Sequence, residues 1–224
     1  GLETLFSQNI LSEANDLAIV VESREELEGI SESRISSAAE EANKKGLEGS
    51  FVIPLLNTSG QPLLSSIRNR ELRERVHRTS LSRGNRGGEF DNRENLSRIL
   101  RLRAKKAQLL GYENHAEYIL ENQTALSVDA VNQRLGQLAM PAAENVVREA
   151  DELQRLIDEE SLGFDLESWD WDFYSERLRR ERFDFDASQL RDYFELDNVL
   201  KRGVFYAAEN LFGISFEERF DFPV

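Results

Sequence analysis

From Asn69 onward the apolar residues recur at helical spacing and almost nowhere alternate as strand residues would, which confines most of the chain to α-helix. Asn69 can cap a helix carrying Leu72, Val76 and Leu81, and the glycine-rich run Gly84-Asn85-Arg86-Gly87-Gly88 breaks it. A helix from about Arg93 to Leu110 presents Leu96, Ile99, Leu100 and Leu102 before Gly111. Asn114 can open a short third helix, since its side chain accepts a backbone N–H that the first turn leaves free. Ser127 opens a long pattern through Val131, Leu135, Leu138, Val146, Val147, Leu153, Leu156 and Ile157. Pro141 should kink or divide that pattern, because proline lacks the N–H donor and crowds the preceding turn. After a loop at Gly163, helices are predicted around Phe173 to Glu181 and from about Ser188 to Leu211, the last closed by Gly213.

Upstream of Asn69 the pattern changes. Leu2, Leu5, Phe6, Ile10 and Leu11 have helical spacing and lead into Ala18-Ile19-Val20-Val21, which reads as a strand. Ser31 or Ser33 can cap a helix rich in Ala and Glu that should stop at Gly46, where glycine tolerates the left-handed conformation. Lys44 and Lys45 suit its negative end. Phe51-Val52-Ile53-Pro54-Leu55-Leu56 reads as a second strand, with Pro54 placing it or its end at a sheet edge. The fold class is therefore mainly α with a small hairpin-like β patch near residues 18–56, organised as a helix-plus-β region over 1–66 and a helical region over 67–224. No internal repeat, low-complexity tract or Pro/Gly/Ser linker interrupts it.

Composition narrows the function classes. A chain of 224 residues with 40% hydrophobic and 31% charged residues has the balance of a globular protein, with room for one large domain or two small ones. There is no cysteine, which excludes disulfides, thiolate catalysis and zinc sites built from thiolates. No run reaches the roughly 18 apolar residues that cross a bilayer, and the first residues lack a basic-then-apolar leader. The expectation is a soluble, cytoplasmic protein with no membrane partner. Its net charge of −14 argues against a nucleic-acid coat. The charge is uneven, however: Arg68 to Ala107 holds 13 Lys and Arg against 5 Asp and Glu, a local +8 that leaves −22 elsewhere. Clustered arginines can neutralise phosphates, but here they alternate with Glu71, Glu74, Glu89 and Glu94, and the favoured reading is a solvated face paired with the acidic remainder. A weaker one is a surface that attracts an anionic group such as a peptide carboxylate.

The chemical motifs are mostly negative. Neither His77 nor His115 lies in HExxH, the spacing that sets two imidazoles on one zinc with a glutamate beside them. Glu74 and His77 form a single Glu-x-x-His, whereas di-iron bundles need two, so both are read as lying on a solvated helix face. His115-Ala116-Glu117 lacks the cysteines of a zinc deaminase. Gly213-Ile214-Ser215-Phe216-Glu217 lacks the final glycine of a nucleophile elbow. Gly84 to Gly88 matches neither phosphate-binding loop and reads as a flexible connection. Among the carboxylates Asp170, Asp172, Glu176, Asp184 and Asp186 nothing selects a catalytic pair. Fifteen of the 20 aromatic residues lie from Phe164 onward, and Trp169, Trp171, Phe173 and Tyr174 can line a cleft or, by default, pack a core.

Several longer runs carry a resemblance. Ser168-Trp169-Asp170-Trp171-Asp172-Phe173-Tyr174-Ser175-Glu176-Arg177, Tyr193 to Leu200 and Gly203-Val204-Phe205 resemble the thimet-oligopeptidase family of zinc metallopeptidases, and its peptidyl-dipeptidase Dcp branch above the others. Asn69 to Glu74, Leu102 to Tyr112, Asn114 to Tyr118, and Phe6 to Asn9 with Leu27 to Ile30 match in the same order along nearly the whole chain. The resemblance implies a helical scaffold lobe of a two-lobed, channel-containing peptidase that admits short peptides. It implies Zn2+ in the intact parent, held by HExxH and a downstream glutamate that would follow the matched region. By that reading the chain is an internal, non-catalytic fragment that binds no metal itself, from an enzyme releasing C-terminal dipeptides from short peptides.

No catalytic residue carries over, and Trp171 and Tyr174 are expected to face or support the channel. Surfaces exposed by truncation are expected to favour self-association of the fragment. The alternatives are a stand-alone helical peptide-binding module without catalysis and a nucleic-acid-binding helical domain.

Overall fold

The computed structural model describes residues 1–58, 60–183, 190 and 193–221. They fall into two units, Gly1–Leu178 and Arg179–Val224.

The first unit opens with α1 (Leu2–Asp16), strand β1 (Ile19–Val21) and a 3-10 turn over Arg24–Leu27. Helix α2 (Glu32–Lys44) follows, beginning after Ser31 and stopping short of Gly46, whose φ of +73° is the left-handed stop expected there. Strand β2 (Phe51–Ile53) ends at the residue before Pro54, whose ring cannot donate to a ladder. The strands pair antiparallel with Ile19 opposite Ile53, Val20 opposite Val52 and Val21 opposite Phe51. The β patch is thus real but not a hairpin: α2 lies between its strands and packs on β2. It needs that cover, because a two-stranded ribbon alone is marginal in water.

The patch is one wall of the first core. Val21, Leu27 and Ile35 meet Ile53, Leu64 and Ile67 there, together with Leu72 and Val76 of helix α3 (Arg70–Leu81). Asn69 caps α3, accepting from the Leu72 N–H at 2.8 Å. Where the chain turns beneath this core, Gly29 adopts φ +93° and the Arg68 N–H donates to the Glu28 carbonyl at 2.9 Å. A side chain on Gly29 would put its Cβ 2.1 Å from the Ser66 carbonyl oxygen.

Helix α4 (Arg93–Leu109) packs along α1, and the loop between α3 and α4 is pinned rather than free. Buried Glu13 accepts from the Gly84 N–H, and the Asn92 N–H donates to the Gly84 carbonyl at 2.9 Å. Asn92 also donates from Nδ2 to the Phe6 carbonyl at 2.9 Å and accepts from Asn9 at 3.1 Å. The reading of Gly84 to Gly88 as a flexible connection is therefore corrected. The glycines supply positive φ, and at Gly84 the lack of a side chain keeps clear of Ile10, 2.7 Å from where a Cβ would sit.

Helix α5 (His115–Leu120) starts from Asn114, which accepts from the Glu117 N–H at 3.0 Å. Helix α6 (Val128–Glu159) then runs unbroken through Pro141, so the expected division does not occur. Proline removes only its own N–H, hence one bond to the Gln137 carbonyl, and long helical flanks on both sides hold the turn. Helix α7 (Trp171–Phe183) packs its first half against the end of α6 to build a second core from Leu153, Leu156, Ile157 and Tyr174.

In the second unit the described chain is helical over α8 (Leu196–Val199), a π-helical turn at Leu200–Phe205 and α9 (Tyr206–Phe212), stopped by Gly213 at φ +66°. The expected start near Ser188 lies outside the described residues. Phe205 stacks on Phe216 at 4.2 Å.

Two glycine substitutions should move stability in opposite directions. Gly29→Ala meets both a positive φ and the Ser66 carbonyl and should cost more than about 1 kcal/mol. Gly136→Ala, inside α6 with nothing within 4 Å of the added carbon, should gain about 0.5–1 kcal/mol. Urea unfolding followed by far-ultraviolet circular dichroism reads both as shifts in midpoint at constant slope.

Candidate functional site

Between α3 and the start of α7 lies a single buried carboxylate. Asp170, one residue before α7, has no solvent exposure. Its Oδ1 accepts from Arg73 Nη2 at 2.7 Å, and its Oδ2 from Arg70 Nη2 at 2.9 Å; Arg70 Nε lies 3.2 and 3.1 Å from the two oxygens. The Glu167 N–H adds a fourth donor at 3.2 Å. Arg73, only 2% exposed, also donates from Nη1 to the carbonyls of Ile67 and Arg68 at 3.0 and 2.9 Å. Arg70 reaches the Asp165 carbonyl at 3.2 Å, and its position beside Asp170 raises its affinity for its proton still further.

Helical spacing explains why α3 can do this, since residues three apart share a face and Arg70 and Arg73 point the same way. Aromatic faces take up the guanidinium planes: Arg70 lies 4.0 Å over Phe164, and Arg73 lies 4.4 Å over Phe173. Gln154 of α6 clamps the intervening loop, donating to the Phe164 carbonyl at 3.1 Å and accepting from the Leu166 N–H at 2.7 Å.

Of the residues singled out for a channel, Tyr174 is 1% exposed, inside the second core, and Trp171 is half-buried against it. The Tyr174 hydroxyl approaches Glu160 at 3.5 Å, and Arg177 pairs with the same carboxylate. Burial, and next the Glu160 charge, push the Tyr174 phenol up from its ordinary value. Trp169 is half-buried, 6.3 Å edge-on from His77 and 4.8 Å under Arg78. His77 is thus covered by an aromatic ring rather than lying on a solvated face, while Glu74 accepts from Arg78 at 2.7 Å.

His115 lies apart from this junction, tilted 6.1 Å from Tyr118, and lines a cavity of about 530 Å³ with Arg103 and Lys106. Arg103 hydrogen-bonds Glu3 in that cavity at 2.6 Å and holds its carboxyl below the usual value. Asp172 is exposed, Glu176 is half-buried, and Asp184 and Asp186 lie outside the described residues. Among the described residues no three His, Cys, Asp or Glu side chains converge as a metal ion requires. The residues present do not fit a zinc ion, and no chemical step follows from one here.

What the junction can do is hold backbone: one buried anion joins α3 to the segment that leads into α7. Asp170 was one acid among many in the sequence, and its partners stand about a hundred residues away. Only the i, i+3 arginines within a positive stretch hinted that a carboxylate would be required. Elsewhere that stretch pairs with distant acids, Arg68 with Glu28, Arg75 with Glu26 and Arg103 with Glu3.

Asp170→Ala should destabilise the chain by about 3–5 kcal/mol, because Arg73 would stay buried without its counter-ion. Arg70→Ala should cost less, about 1.5–3 kcal/mol, because Arg70 reaches solvent and the Arg73–Asp170 bond survives. Chemical unfolding of the two variants checks the order. The Tyr174 phenol, raised when folded, contributes stability that is present below the unfolded value near 10 and lost as pH rises through its folded value. Unfolding of Tyr174→Phe should therefore respond less to pH above about 10 than the parent.

The family model for Peptidase family M3 matches residues 63–224, a span that contains the whole junction. Two proteins named dipeptidyl carboxypeptidase, from Salmonella typhimurium and Escherichia coli, are each 39% identical over 223 residues, covering 100% of this chain and 33% of their own length. Oligopeptidase A of Escherichia coli is 31% identical over 223 residues, 98% of this chain and 32% of its own. The chain thus spans about one third of the length of these relatives. With the family model covering well over half of its residues, this chain belongs to peptidase family M3.

Proposed function

We propose that this chain forms non-catalytic scaffold and channel wall in a zinc metallopeptidase that acts on short peptides and releases C-terminal dipeptides. One observation carries the reading: similarity along the whole of this chain to one third of proteins named dipeptidyl carboxypeptidase, in 224 residues that contain no HExxH. Zinc chemistry then belongs to a part of the enzyme outside these residues, and this chain alone hydrolyses nothing. The cytoplasmic setting is part of the same proposal; no described helix is long and apolar enough to cross a membrane.

Within that role the buried Asp170 cluster fixes the wall, and Trp171 and Tyr174 act as positioning residues. Tyr174 supports the wall from inside the core, and Trp171, on its half-exposed edge, is the nearer of the two to any passing peptide. In an enzyme that includes this segment, Trp171→Ala should raise KM for short peptides more than it lowers kcat, and Trp171→Phe should restore most of the loss. Unchanged peptide kinetics in both would remove Trp171 from the wall.

The 224-residue chain, supplied with Zn2+ and short peptides, should release no product by mass spectrometry. Hydrolysis that a chelator abolishes would overturn the scaffold reading.

A further inference from the structure

Helix α3 has two faces at helical spacing, and they meet different neighbours. Leu72 and Val76 enter the first core. Arg70, Arg73, His77 and Arg78 meet the segment 164–173, which borders the second core, an apolar cluster that shares no residue with the first. The seam between the cores is therefore polar and aromatic rather than aliphatic. Asp170 accepts there from Arg70 and Arg73. Trp169 is clasped by three α3 side chains, His77 edge-on at 6.3 Å, Arg78 at 4.8 Å and Arg70 at 5.6 Å.

Closing this seam leaves polar groups without partners. Among the described residues, four buried side-chain nitrogen atoms have no hydrogen-bond partner, and three of them, Arg73 Nε, His77 Nδ1 and Trp169 Nε1, lie here. Each gives up hydration in the closed arrangement and regains it on opening. The buried ion pair adds little net stability to set against that loss, because desolvation consumes most of its attraction. Leu72 and Val76 in the first core, and Leu153, Leu156 and Ile157 in the second, regain nothing comparable when exposed to water. The costs fall on the seam, and each side of it keeps an apolar interior of its own.

We propose that the second core, the end of α6 with the start of α7, opens from α3 as a unit while both cores stay intact, and that Asp170 between Arg70 and Arg73 is the catch that holds it shut. Opening breaks the ion pairs and the ring contacts together and turns Arg73 and Trp169 out to water. Loss of the Asp170 charge favours the open form, because Arg73 then escapes burial without a counter-ion. This device does not rest on the peptidase role.

Trp169 reports the seam once Trp171→Phe removes the other tryptophan. In the 224-residue chain with that change, Trp169 emission is followed through a urea titration. Amide hydrogen exchange is read by mass spectrometry in the same samples for residues 17–55 of the first core and 150–160 of the second. Trp169 emission should move to longer wavelength at urea concentrations where both segments keep their protection, since independent opening separates the transitions of different probes. Asp170→Asn should raise the open population at a given urea concentration on the order of a hundredfold. Arg70→Ala, the milder change, should raise it about tenfold. Exchange in both segments should stay as in the parent. Exposure of Trp169 that coincides with loss of protection in either segment would overturn the proposal. So would an Arg70→Ala chain in which all three probes move together.

Discussion

A carboxylate wholly removed from water must be paired, and Asp170 is paired twice. Arg73 and Asp170 balance each other away from water, and Arg70 adds a second positive charge at the solvent edge. The structure meets the two guanidinium groups with the carbonyls of Ile67, Arg68 and Asp165 and the faces of Phe164 and Phe173. Such clusters contribute little net stability against an apolar replacement of similar volume, since desolvation consumes most of the attraction. Their contribution is geometric, because both carboxylate oxygens accept from fixed directions set by the two guanidinium groups. Arg70 and Arg73 stand on a helix whose Leu72 and Val76 enter the first core, and Asp170 introduces the helix whose Tyr174 enters the second. The cluster therefore sets how those two cores lie with respect to each other.

Helix termini were the most legible part of the sequence, because a cap is local chemistry. Asn69, Asn114 and Ser127 each accept from the backbone N–H three residues on, as their side chains allow. The strands were legible in place, from β-branched runs and Pro54, but not in connection. Pairing is decided by which segments share a core, and Val21 and Ile53 are both buried in the same one. Pro141 does not divide α6, because inside a long helix the loss of one bond yields to the bonds on either side.

The junction was the least legible part. Nothing in Ser168-Trp169-Asp170-Trp171 distinguishes an acid destined for a core from one on a surface. The information is divided between two segments, an arginine pair on one helix and a lone aspartate far along the chain, and only folding brings them together. Similarity to known peptidases identified the runs around Trp169 and Asn69 but said nothing of their contact. Their ion-paired meeting couples the two runs: Asp170 cannot be lost without leaving Arg73 buried and unpaired.

The same division explains the two-toned charge. A basic stretch in the middle of an acidic chain suggests a binding surface, yet in this fold several of its arginines reach outward along the sequence, while Arg78 and Arg93 pair with neighbouring acids. Arg68, Arg75 and Arg103 meet acids of the first 28 residues, and Arg70 and Arg73 meet Asp170. The exposed pairs are individually worth about 0–1 kcal/mol and cannot by themselves hold the segments in place. Their sign is nonetheless consistent, so any packing that set the basic helices against one another would incur repulsion that the native one avoids. Charge segregation along the chain thus acts as a selector among compact arrangements, while the one pair excluded from water determines which of them is kept.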